Sequence, residues 1–406
     1  MTMLVDRWGD EIAGTPDSVA AWDEAWQRFV TFTGDPVAAL TPATETDDTF
    51  VLGAVFDALY RVLAGSPLDD PALAALVDVG RSRACTPRES AHVQALDLLV
   101  AGEFTAAGVV WASIARETDD FSAARFAHDV FLHVGDDDRR LALSTAALAA
   151  HEGRSGWSFV AGQHSFALNE VGRYAEAADI GRVALEADPS DLWARHALAH
   201  VYEETDDTPA SLVLLRDTAD VWAGQDLLAN HVWWHLALRL LAAGEHDEVL
   251  AIHDERMPEA TTAFRLCDQT SILWRAELAG VDVGDRWDEL ADRWDTITER
   301  HTCGFIDLHA VLAYLRRPDH PGAGRWRVGL RDRVESGSEI DEIFAEVVEP
   351  LVRALDTRSR GDLDTAADAV AGLGDTVSRI GGSNAQRAIV PLTFSTSAHA
   401  QTGAPR

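Results

Sequence analysis

Apolar residues return along the chain at the intervals of a helix face, in Ala- and Leu-rich stretches broken by short Gly or Asp steps. No sustained alternation of β-branched with polar residues interrupts them. The pattern therefore predicts helices throughout and few strands or none. Residues 104–114 form one of the longest uncharged stretches and read as a buried helix. No run approaches the roughly 18 uncharged residues that a membrane-spanning helix needs. The least regular parts are residues 1–50 and the segment 391–406, where Thr, Ser, Gly and Pro accumulate and fraying is expected.

Within this pattern the chain resembles itself. Residues 158–190 match the tetratricopeptide layout, with Gly172 and Tyr174 at the turn between two helices and Pro189 closing the second. Ala177, Gly181 and Ala184 supply the small positions that let two helices approach to about 8–10 Å. Equivalent turns fall at Gly102, Gly135, Thr205 and Gly244, with a further one at Gly361. From Gly102 to Gly244 they recur every 33 to 39 residues. Each hairpin leaves an apolar face that only its neighbour can cover. The expected fold is all-α: a superhelical array of antiparallel helical hairpins, a tetratricopeptide-like α-solenoid forming one domain over residues 1–406.

Charge narrows the function classes. The chain carries a formal net charge of −33, and every one of its basic residues is arginine. Such acidity opposes broad contact with nucleic acid or an anionic membrane, so neither is expected as a partner. The lack of lysine excludes a Schiff base, a lysine general base and a P-loop lysine. Cys85, Cys267 and Cys303 are widely spaced and form no C-x-x-C pair, which fits a reducing compartment. With no secretory signal at the start, a cytoplasmic location is expected.

Histidines are the residues that can carry chemistry. His196 and His200 lie four apart, as do His231 and His235, so each pair projects from one helix face. His196 and His235 hold the same place relative to their turns, and Gln163 holds it one repeat earlier. Glu203 and Glu170 are likewise equivalent. In tetratricopeptide arrays these first helices line the concave surface, so the residues should share a groove. They can also be plain hydrogen-bonded imidazoles packed by Trp193, Trp233 and Trp234. No metal ligand is assigned: zinc takes about four ligands, and the His196 pair lacks the glutamate of an H-E-x-x-H helix. Two stacked pairs meeting in space would supply four.

Further candidates sit near helix ends. Asp129 can orient His128 if the fold joins them. Asp307 and His309 point to different helix faces, and Asp307 can instead be an N-cap. Ser383 opens a helix after Gly381-Gly382, and its free amides with Arg387 can hold an anion, or Ser383 can simply cap. No cofactor motif appears.

Taken in order, several motifs resemble one family. They are Arg88-Glu-Ser-Ala-His92-Val, Phe126-Ala-His128-Asp129, Ser165-Phe-Ala-Leu-Asn-Glu170, the two histidine pairs, Leu273-Trp-Arg-Ala-Glu277, Asp307-Leu-His309 and Gly381-Gly-Ser-Asn-Ala-Gln-Arg387. The chain is similar through nearly its whole length to the tetratricopeptide repeat protein 38 family. That resemblance implies a soluble, intracellular all-helical superhelix. It carries no settled activity to transfer.

The functional expectation is a histidine-rich concave pocket for a small-molecule or short polar peptide ligand, lined by His128, Asp129, Gln163, Glu203, Trp234, Asp307, His309, Ser383 and Arg387. His196, His200, His231 and His235 are the acid–base candidates should the protein be a hydrolase or lyase, with or without a metal. A peptide-binding scaffold is the third reading.

Overall fold

A computed structural model describes residues 3–83, 86–224, 228–257, 262–297, 301–333 and 337–395. Cys85 and residues 396–406 lie outside these. The fold is an all-α array of helical hairpins; its strands, among the described residues, are the three-residue pair Met3–Val5 and Glu11–Ala13, joined antiparallel with Met3 opposite Ala13. No described helix is long and apolar enough to cross a membrane. The chain groups into two compact units where a single array is expected. One comprises Met1–Leu132, Asp136–Val201 and Asp220–Ala229; the other comprises His133–Gly135, Tyr202–Ala219 and Asn230–Arg406. The helix Leu192–Glu204 contributes residues to both.

The amino-terminal fifty residues are more regular than their composition suggests. Thr15 and Asp35 cap the helices Pro16–Thr31 and Pro36–Thr46. Asp47 accepts from the Thr15 amide at 2.7 Å and from the Ser18 and Thr49 hydroxyls, and these donors hold its carboxyl well below the usual range. The strand pair is fastened by acids: Asp6 accepts from Trp22 Nε1 at 3.0 Å, and Asp10 from the Phe121 amide at 3.1 Å. Behind it Trp22, Trp26, Phe56 and Phe126 form an aromatic core in edge-to-face contact.

The repeat logic holds at its turns. Gly102, Gly135, Gly172, Gly244 and Gly361 all have positive φ, the conformation that closes a helix without a Cβ penalty. At the turn expected on Thr205, it is Asp206 that takes the left-handed position, at φ 54°. The small residues also do what they are placed for. A Cβ on Gly181 would lie 2.8 Å from Ser165 Oγ and 2.9 Å from Leu198 Cδ2. Ala161, Ala184 and Ala194 pack together at this crossing, buried.

In the second unit, indole N–H groups tie helices together. Trp274 donates to Thr393 Oγ1 at 2.8 Å, Trp294 to Thr270 Oγ1 at 2.9 Å, and Trp326 to Asp307 Oδ1 at 2.8 Å. Thr393 belongs to the helix Ile389–Phe394, so the fraying expected from residue 391 onward does not begin there.

Candidate metal centre

The helix Leu192–Glu204 buries its first three turns completely, and His196 and His200 share one face of it. Their Nε2 atoms meet at 2.8 Å. One ring must donate there and the other accept, so the contact fixes complementary tautomers. Phe166 and Trp193 wall the pair, with ring centroids 4.9 Å from His200 and His196 respectively. On its far side His200 Nδ1 lies 3.9 Å from Glu170 Oε1. Glu170 also accepts from Asn169 Nδ2 at 3.1 Å, and its second oxygen lies 4.0 Å from the Arg140 guanidinium.

The helix Ala229–Ala243 carries the second pair. His231 and His235 lie with ring centroids 4.8 Å apart. Trp234 stacks flat on His231 at 4.9 Å and meets His235 edge-on. Asp268, from the helix Ala263–Leu278, receives His231 Nδ1 at 2.8 Å on one oxygen and Asn230 Nδ2 at 3.0 Å on the other. A carboxylate on Nδ1 fixes the ring of His231 and leaves the lone pair on Nε2, as around metal-bound histidines.

Each pair offers ring nitrogens from one face of its own helix. Neutral imidazoles suit zinc, copper, nickel and iron better than magnesium or calcium, which demand oxygen.

Other expected residues are placed differently. His128 packs edge-on against Trp193 at 5.9 Å, bonds Asp129 at 3.3 Å, and is driven down to about 4 by burial. Asp129 is itself held by Arg125 at 2.8 Å. Gln163 is buried. Glu203 is consumed by Arg239 at 2.6 Å, although burial still pushes its carboxyl up.

One end-of-helix reading needs correction, that of Asp307, while the capping reading of Ser383 holds. Asp307 is not an N-cap: Cys303 occupies that position, and Asp307 accepts from His301 Nδ1 at 2.6 Å and from Trp326. His309 does not join it but donates Nδ1 to the Phe305 carbonyl at 2.8 Å, and burial lowers it to about 4. Ser383 and Gln386 form a reciprocal capping box on a helix of only four residues, so the Gln386 amide is taken by Ser383 Oγ. Arg387 folds back on the Gly382 carbonyl and Asn384 Oδ1.

Asp268 and Asn230 escape sequence reading. Asp268 stands 37 residues from its histidine, inside no recognisable motif. Neither a family model nor a solved structure matches the chain.

Proposed function

We propose that this helical-repeat protein binds a late first-row transition-metal ion through His231 and His235, and presents that ion to a small polar ligand. The two imidazoles on one helix face, with Asp268 on His231 Nδ1 at 2.8 Å, carry the reading. His235 is fully enclosed and serves as a permanent ligand. His231 retains 14% side-chain exposure and is held from behind by Asp268. An ion so placed lowers the pKa of bound water toward 7, which makes hydrolysis the reaction class these parts serve best.

A second reading has its own observation. The 2.8 Å Nε2–Nε2 bond lets His196 and His200 satisfy one another without any ion, as a structural polar pair. Elemental analysis of protein purified without a polyhistidine tag separates the two. The metal reading expects about one equivalent of zinc, copper, nickel or cobalt, lost in the His231→Gln, His235→Gln double variant. Protein that takes up neither Zn(II) nor Co(II) on dialysis, and melts identically with EDTA, overturns it in favour of the structural pair.

A further inference from the structure

Within the first unit, the helices Phe104–Thr118 and Asp137–Ala150 leave a groove between them of about 370 Å³, with the helix Phe121–His133 behind it. That volume falls in the range of small-molecule sites, roughly 300–1,000 Å³. Val109, Ala112, Ala142, Leu143 and Ala146 form its walls, and the buried Phe131 lies at its floor. Val109 stays 46% exposed, an apolar side chain left open to the cleft. The alanines are what keep the cleft open. Where the helices close instead, a Cβ on Gly108 would lie 2.6 Å from Phe131 Cε1. From Val109 to Arg116 the wall runs about 10 Å, at 1.5 Å per helical residue.

The two ends of the groove differ. At the Val109 end, Arg139 is taken by Asp136. At the other end stand Ser113, Arg116, Asp119 and His151. Asp119 is taken by Arg154 at 3.2 Å. Arg116 enters no ion pair among the described residues; it donates to Ser113 Oγ at 3.2 Å, and that hydroxyl donates to Glu117 at 2.8 Å. His151 is 2% exposed, and its Nδ1 donates to the Ala147 carbonyl at 2.9 Å. The lone pair is therefore on Nε2, which is buried without a partner among the described residues. Burial lowers the proton affinity of this ring, so it is neutral at pH 7. The charges that face it are Arg116 and Asp119 from one wall, Asp120 before the floor helix, and Arg154 on its own segment.

We propose that this groove binds a free medium-chain carboxylic acid, its alkyl chain along the alanine walls and its carboxyl group at the Arg116–His151 end. The chain covers apolar wall that water now wets, and Arg116 faces the carboxylate. One proton comes from solution and is shared between a carboxyl oxygen and His151 Nε2; no covalent bond to carbon changes. The site uses none of the residues of the metal reading and stands or falls apart from it.

The test titrates full-length protein with octanoate, butyrate and octan-1-ol at constant ionic strength, by calorimetry in two buffers of different ionisation enthalpy. Octanoate should bind saturably with uptake of a proton, and more weakly at pH 8 than at pH 6. Each methylene removed toward butyrate should weaken binding by up to about 4-fold, the equivalent of about 0.8 kcal/mol. Ala146→Leu, at an exposed helix position, should abolish binding of octanoate and octanol alike. Arg116→Gln should weaken octanoate by up to about 5-fold and leave octanol unchanged. His151→Gln should remove the proton uptake; should it fail to fold, the two-buffer comparison on the wild type decides that point. Equal affinity for butyrate and octanoate, binding undiminished by Ala146→Leu, no proton uptake, or binding to anionic-lipid vesicles alone overturns the proposal.

Discussion

Asp268 holds His231 by its Nδ1 nitrogen at 2.8 Å, and Asn230, the residue beside that histidine, occupies the other carboxylate oxygen. The carboxylate is therefore committed on both oxygens, and the imidazole has one orientation and one tautomer.

Asp268→Ala frees the ring while leaving all four imidazoles in the chain. Affinity for Zn(II) should fall about 10- to 100-fold, the usual cost of losing a carboxylate behind a liganding histidine. Competition with a chromophoric chelator measures it. A variant that holds zinc as tightly as the wild type would remove Asp268 from the centre.

His200→Gln removes one partner of the Nε2–Nε2 contact inside a fully enclosed site. A loss of roughly 1–3 kcal/mol is expected in urea unfolding of the metal-free protein.

The enclosed histidines make the fold acid-sensitive. His128, His133 and His309 are each lowered by burial from 6.5 to about 4. Between those values the unfolded chain binds protons that the folded chain refuses. Their contribution is whole above pH 6.5 and drains away as pH falls toward 4, by about 3 kcal/mol per ring. Denaturant melts at pH 7 and pH 4.5 check this, and His309→Phe should flatten part of the slope.

Two aspartates act with the opposite sign. Asp10 and Asp191 are each raised from 3.8 to about 7, chiefly by burial, with Asp120 adding to the effect at Asp10 and Asp188 at Asp191. Here the folded state keeps the proton longer. Their stabilising share is full below pH 3.8 and is lost as pH rises through 7. Asp10→Asn should leave the variant less pH-dependent than the wild type between pH 5 and 7.5. An unchanged slope would show that Asp10 titrates normally.

Gly181→Leu drives a side chain into Ser165 and Leu198, where even a Cβ would lie under 3.0 Å from both. Overpacking of this kind costs about 1–3 kcal/mol, read from the urea midpoint at constant slope.

Periodicity alone carries the fold because both of its devices are local. Turn glycines such as Gly172 and Gly244 need positive φ, and small residues such as Gly181 need a close neighbour. Both demands show in a single chain. The histidine pairs are legible for the same reason, since a four-residue spacing is a property of one helix. Asp268 is not, because nothing local marks an acid whose partner lies on another helix. Asp307 misleads in the reverse direction: its place beside a helix start suggests a cap, while His301, before the helix, and Trp326, on the next one, claim it. Ser383 shows that a good local signal can be fully spent locally, its hydroxyl and Gln386 closing on one another.

The flat stack of Trp234 on His231 gives the centre an optical gauge of its own. An open-shell ion such as Cu(II), seated on that imidazole, would drain the excited state of the adjoining indole, whereas closed-shell Zn(II) would leave it emitting. The quenched share of the tryptophan fluorescence can then tell which ion has arrived, with no label introduced into the interior.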